Sequence, residues 1–291
     1  MAAPTLTAIS SDNGTFGNDF LTNDTSLTFS GTADASSFIE VFVNGVSVAF
    51  GQADGSGNWS IDLASQYGNF AAGSYSIQIL ANATFSTAYT VTVDLTAPAA
   101  PTLASISDDT GSSPTDGITN DNTLVLTGSA EANAIVHIRD FGTEIGTAQA
   151  DGTGAWTYNT GSLGGDQLYS FSVSQTDAAG NDGPASASQS VYIDNTVAAP
   201  VISTTITQDT GSSATDRITS DDTVGLSGTG EAGAVVEIFD GVTSLGTALV
   251  NGSGNWSFTT DALSDGAHSF TAEQTDVAGN ASSASSAVTV T

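Results

Sequence analysis

A loop built on aspartate returns at fixed intervals along this chain of 291 residues. Asp109-Thr110-Gly111, followed by Asp116 and Asp121, comes back 100 residues later as Asp209-Thr210-Gly211, Asp216 and Asp221. Asp12, Gly14, Asp19 and Asp24 stand 97 residues ahead of the middle copy. Self-similarity at a fixed period means that one structural unit is repeated. Units of 97 to 100 residues are large enough for one small core and too small for a large enzyme fold. The chain therefore reads as three modules, 1–96, 97–196 and 197–291.

Within the middle module, short β-branched or aromatic runs are separated by Gly, Asp, Asn and Ser, and apolar residues show no 3.6-residue period. That pattern is all-β. It predicts strands over 102–107, 123–129, 134–140, 143–150, 155–160, 168–176 and 187–194, with equivalents in the other modules. Seven short antiparallel strands in a module of this length suggest an immunoglobulin-like β-sandwich. A Gly-rich turn leading into a Trp-headed strand recurs at Gly55 to Trp59, Gly152 to Trp156 and Gly252 to Trp256, with Gly supplying positive φ. The three Trp side chains are expected in the core or at a strand edge rather than against a ligand. The joints, Val93 to Pro98 and Ile193 to Pro200, end in a proline that keeps its predecessor extended. Three tandem domains arranged end to end as a rod are expected, about 35 to 40 Å each from strands of ~10 residues at ~3.4 Å rise.

Acidic residues number 31 against two basic ones, Arg139 and Arg217. Nucleic acid and anionic membrane surfaces are thus poor partners and cations good ones. Of the acids 25 are Asp and 6 are Glu, a bias toward turns and short-armed metal ligands. Cysteine is absent, so no disulfide staples the long loops. No apolar run of membrane-spanning length occurs, and the start has neither a basic nor an apolar signal segment. The chain is expected to be a monomeric fragment of a longer array, without membrane insertion, because Val288 to Thr291 stops where the earlier modules place Val93-Asp94 and Ile193-Asp194. Any export signal is expected outside it.

Sandwich topology brings the aspartates together. The loop joining the first two strands lies at the C-terminal end of its module, and the loop before the last strand lies at the N-terminal end. The first joint then collects Asp12, Asp19, Asp24, the linker Asp94, and Asp177 with Asn181 from the next module. The second collects Asp108, Asp109, Asp116, Asp121, the linker Asp194, and Asp276 with Asn280. Asp209, Asp216 and Asp221 remain as a half-site. Carboxylates gathered without lysine repel one another, and a divalent cation reverses the sign. Ca2+ suits Asp, Asn and carbonyl oxygens, whereas Mg2+ keeps its waters and Zn2+ calls for His or Cys. Taken singly, each Asp is also a common turn residue that bonds its own backbone. Glu131 and Glu231, with Asp34 in the matching place, are open to either role.

Val93 to Pro98, Asp108 to Gly111, Asp116 to Asp121, Gly154 to Trp156 and Thr176 to Asn181 together resemble the bacterial immunoglobulin-like repeats of giant RTX-type adhesins exported by type I secretion. The resemblance implies an extracellular stalk at the bacterial cell surface. Ca2+ at the joints between neighbouring modules would rigidify it, in support of cell adhesion or biofilm formation. Module 1 departs from it, reading Asn82-Ala83-Thr84 where the others carry Thr-Asp-x-Ala-Gly-Asn.

An enzyme is not expected. His137 and His268 recur in no other copy, and no nucleophile elbow, phosphate loop or His-metal spacing is present. The competing reading is a binding module. Module 1 holds twelve of the 22 Phe, Tyr and Trp residues, among them Phe16, Phe20, Phe50, Tyr67 and Phe70 in expected loops or strand ends. Exposed together, they would contact a host glycan or protein; packed together, they make a different core.

Overall fold

Burial alternates with period two along Phe38–Val43, where Ile39, Val41 and Val43 are buried and Phe38, Glu40 and Phe42 are less so. A strand lining one face of a sandwich requires that alternation. The computed structural model describes residues 2–14, 16–107 and 109–291. It divides into two compact units, the first of residues 1–105, 126–158 and 171–189 and the second of residues 106–125, 159–170 and 190–291.

In the first unit, module 1 forms β1 (Thr5–Ile9), β2 (Leu21–Thr22), β3 (Thr28–Thr32), β4 (Phe38–Val43), β5 (Val46–Gln52), β6 (Asn58–Asp62), α1 (Leu63–Gln66), β7 (Gly73–Ala81), β8 (Thr84–Phe85) and β9 (Tyr89–Val93). One sheet has the order β1-β3-β6 and the other β2-β9-β7-β4-β5, with β8 on β7. Leu27, Phe29, Trp59 and Ile61 from one side meet Ile39, Val41, Ile77, Ile79 and Val91 from the other in a single core. The short β2 runs parallel to β9, pairing Leu21 with Thr92 and Thr22 with Val93. That register sets the aspartate loop beside the exit linker. The rest of this unit pairs Ile135–Asp140 with Thr143–Gln149 and, antiparallel, with residues 171–176.

In the second unit, Ile118–Thr119 lies parallel to Tyr192 and Ile193, repeating the device next to Asp194. Module 3 has a three-stranded sheet of Val201–Ile202, Gly225–Thr229 and Asn255–Thr259. Facing it is a four-stranded sheet ordered Thr243–Leu249, Val235–Asp240, His268–Thr275 and Val288–Val290. Leu226, Val236, Ile238, Trp256 and Phe270 are among its core residues.

The recurring Trp is a core device. A Cβ on Gly31 would meet the Trp59 ring at 2.7 Å, on Gly128 the Trp156 ring at 2.7 Å, and on Gly228 the Trp256 ring at 2.6 Å. Each indole lies across a strand glycine, buried as expected. Among the described residues no helix is long and apolar enough to cross a membrane.

Candidate metal centres at the module joints

The aspartate loop folds the same way three times. Asp12 accepts a bond at Oδ2 from the Phe20 amide at 3.4 Å, Asp109 from Gly117 at 3.0 Å and Asp209 from Arg217 at 3.0 Å. The other oxygen, Oδ1, is buried and without a hydrogen-bond partner in all three. A buried carboxylate oxygen left bare is costly unless a cation or water meets it. Burial, and after it the charge of Asp19, pushes the Asp12 carboxyl above the ordinary carboxylate range. Asp19, Asp116 and Asp216 each accept at Oδ1 from the amide two residues on, as do Asp24, Asp121 and Asp221. These six make Asx turns that fix the loop. Asp108 lies outside the described residues.

The joint itself is built from the linker and the next module. In the first unit Asn181 donates from Nδ2 to the Asp94 carbonyl oxygen at 3.0 Å and to Asp177 Oδ2 at 2.9 Å. In the second, Asn280 does the same to Asp194 at 2.8 Å and Asp276 at 2.8 Å. Asp177 and Asp276 are 4% and 3% exposed. Their Oδ1 atoms accept the amides of Asn181 and Asn280, so each closes its own loop while presenting charge to the linker. The Asn amides serve here as donors that brace the carboxylates.

At the second joint the carboxylates converge. Oxygens of Asp194, Glu231 and Asp276 all lie within 4.8 Å of one another, the one such set of three His, Cys, Asp or Glu among the described residues. Two oxygens on opposite sides of a Ca2+ at ~2.4 Å are about 4.8 Å apart, so one ion spans the group. Without a cation, each pair at that distance repels by about 3 kcal/mol at an effective dielectric constant of about 20. Burial first, then the charge of Asp276, holds Glu231 above the ordinary carboxylate range. Asp194 is raised likewise, by burial first, with Asp276 and Asp166 adding to it.

A family model described as a bacterial Ig-like domain matches the chain three times, over residues 1–96, 95–195 and 196–291. The chain belongs to the bacterial Ig-like domain family. No curated protein matches it. Among solved structures, a 1.5-MDa bacterial ice-binding adhesin retained at the host cell surface is 20% identical over 100% of this chain and 98% of its own, with a TM-score of 0.39. A Ca2+-stabilised adhesin with which an Antarctic bacterium binds ice is 22% identical over 100% and 74%, with a TM-score of 0.42. A tetra-tandem repeat from the extending region of a large adhesion protein is 21% identical over 99% and 74%, with a TM-score of 0.31. At these identities the likeness is one of fold alone.

Several residues of these bacterial Ig-like modules escape a reading of the sequence. Gln175 and Gln274, each 2% exposed, donate from Nε2 to the linker carbonyls of Ala99 and Ala198 at 2.7 and 2.8 Å. Their Oε1 atoms accept the amides of Glu131 and Glu231. One side chain thus ties the incoming linker to the loop that carries the glutamate. The signal was a Gln placed ahead of Thr-Asp in both modules. Asp166 accepts the Asn195 amide at 3.0 Å. Both histidines are engaged, His137 by Glu144 and Thr176, His268 by Asp240 and the Ser264 carbonyl.

Proposed function

We propose that this chain is part of the stalk of a bacterial surface adhesin, outside the cell, serving cell adhesion or biofilm formation, and that Ca2+ at its joints holds each module against the next. The convergence of Asp194, Glu231 and Asp276 on one ion-sized space carries the reading. Asp194 comes from the linker and Glu231 and Asp276 from the following module, so an ion bound at that point acts on the joint. The bare oxygens of Asp12, Asp109 and Asp209 supply further oxygen ligands of the kind Ca2+ takes. Buried acids without basic partners suit a cation-holding strut; nothing in this arrangement offers a nucleophile with its base. Calorimetric titration of the chelated protein with Ca2+ is expected to show binding, with a melting temperature that rises with Ca2+. Saturation at ~100 times the dissociation constant is worth about 2.7 kcal/mol per site. A melting curve identical in Ca2+ and in EGTA, with no heat of binding, sinks this reading.

A second reading rests on module 1. Phe70 is buried in its core, but Phe38 and Phe50 stay 59% and 49% exposed and stack at 5.8 Å. Phe42 and Phe85 pair on the same sheet at 5.3 Å. Exposed aromatic pairs of this kind suit a ligand such as a host glycan or protein. A glycan array probed with the full chain and with Phe38→Ser/Phe50→Ser decides: binding lost in the variant supports it, and no binding by either leaves the strut alone.

A further inference from the structure

Beyond the carboxylates, each joint contains a direct contact between modules made by glycine and backbone. In the first unit the Asn23 amide donates to the Ala179 carbonyl oxygen at 3.0 Å, and Asn23 Nδ2 donates to that of Gly180 at 2.7 Å. A Cβ on Gly14 would fall onto the Ala178 carbonyl oxygen, and one on Gly180 onto that of Asn13. In the second unit the Ser112 amide donates to the Val277 carbonyl oxygen at 3.0 Å, and Thr110 Oγ1 donates to that of Ala278 at 3.2 Å. A Cβ on Gly111 would strike Val277 and Ala278, and one on Gly279 would come to 3.2 Å from Gly111 Cα. The hydrogen bonds come from different residues at the two joints, but the glycines take equivalent positions, Gly14 with Gly111 and Gly180 with Gly279.

We propose that these glycines form a latch that closes each joint without a metal and selects which module can follow. A Cβ on Gly14, Gly111 or Gly180 would come within 2.1 Å of backbone across the joint, and the receiving loop carries glycine in the left-handed region, Gly180 at φ 97° and Gly279 at φ 93°. Asp177 and Asp276 fix the shape of that loop through the bonds described above. Module 1 cannot serve as a receiver. Its corresponding segment is a two-residue turn, Asn82-Ala83, between β7 and β8, with Leu80 paired to Phe85 and Ala81 to Thr84. It carries no Asp-x-Ala-Gly-Asn sequence to receive a Gly14-type loop. The order of modules is thereby written in loop shape, independently of ion binding. A Cβ on Gly211, the third copy, would first meet its own module's Ile218 carbonyl oxygen, at 2.8 Å, and this loop offers the donor half of the latch to a loop of the Asp-x-Ala-Gly-Asn kind.

Amide hydrogen exchange on the full chain tests this in Ca2+ and in EGTA, so a failure of the latch is separable from a failure of Ca2+ binding. Gly14 has no positive φ, so Gly14→Ala introduces a clash at the joint without straining its own backbone; Gly55, with nothing within 4 Å, is the control. The Asn23 amide is expected to lose about tenfold or more in protection in Gly14→Ala, the equivalent of about 1.4 kcal/mol. Ser112 and the core amide of Ile79 should be unchanged, and Gly55→Ala should match wild type. In EGTA the wild-type Asn23 and Ser112 amides should remain protected. Wild-type protection at Asn23 in Gly14→Ala overturns the latch, as does its disappearance in EGTA alone. Should Gly14→Ala also expose Ile79, Asn23→Ala takes its place; it removes the side-chain bond to Gly180 across the joint and a 3.4 Å bond from Asn13 within the loop, and an unchanged amide at position 23 then overturns the proposal.

Discussion

Glu231 shows how a residue can favour opposite states of one joint. With no cation its charge faces Asp194 and Asp276, and both Glu231 and Asp194 have raised folded pKa values, from burial first. The folded state then holds more protons than the unfolded chain, so stability falls as pH rises. That contribution is whole below the unfolded carboxylate value, about 4.3 for Glu, and is lost as pH passes through the raised folded value. In EGTA, therefore, the amides around the second joint should exchange faster at pH 7 than at pH 5 after correction for intrinsic rates. With Ca2+ bound, the trend should reverse. Glu231→Gln should raise the melting temperature in EGTA by removing repulsion, and weaken Ca2+ binding by about tenfold, since ligand charge sets affinity. A variant less stable than wild type in EGTA would show that Glu231 acts by packing instead. Position 231 was ambiguous in the sequence because Glu opening a loop looks the same whether it faces water or a linker; the fold decides by burying Asp276 opposite it. The aspartates of the repeating loop were legible as a set. Their division into one bare-oxygen residue and two Asx turns was not, since it depends on which amide each carboxylate reaches.

At the scale of elements, the strand pattern of the middle module was readable to within a residue or two, because period-two burial and Gly-rich turns are local signals. Expected strands at 134–140 and 155–160 correspond to Ile135–Asp140 and Ala155–Asn159. What the pattern cannot show are elements shorter than a period. Leu21–Thr22 and Ile118–Thr119 are two residues each, yet they place the aspartate loop beside the linker. The single-turn helix Leu63–Gln66 is held by an Asp62 cap on the Ser65 amide. It sends Gln66 to both backbone groups of Phe50, at 2.9 and 3.1 Å, capping an edge strand that would otherwise pair with another chain. The Trp over glycine contact gives a direct test of core packing. Trp256→Ala in module 3 should cost about 3 to 5 kcal/mol. Gly228→Ala should also destabilise, because its Cβ meets both the Trp256 ring and the Val201 carbonyl oxygen. Combining the two should restore part of the loss, since the smaller side chain vacates the ring's place. Strict additivity in urea denaturation would mean that the carbonyl contact alone opposes the methyl.

For the whole molecule the governing quantity is a net charge of −29, and binding of Ca2+ at sites, as proposed, has to be told apart from mere screening of that charge. The two differ in their response to salt. The Debye length is about 10 Å at 0.1 M and about 3 Å at 1 M, so NaCl at 0.5 M quenches repulsion between distant surface carboxylates. Oxygens within 4.8 Å of one another at a half-buried joint are screened far less. If Ca2+ acted by screening, 0.5 M NaCl in EGTA would reproduce its effect. If it binds at the joints, NaCl should raise the melting temperature only slightly, and millimolar Ca2+ should add a further rise at both salt concentrations. The sites also predict locality. Asp194→Ala removes one member of the converging trio and should abolish the Ca2+-dependent protection of amides near Asn280. The amide of Asn181 and its neighbours, served by Asp94 and Asp177, should keep their Ca2+ response. Equal losses near both asparagines would mean that the response follows total charge and not the joints.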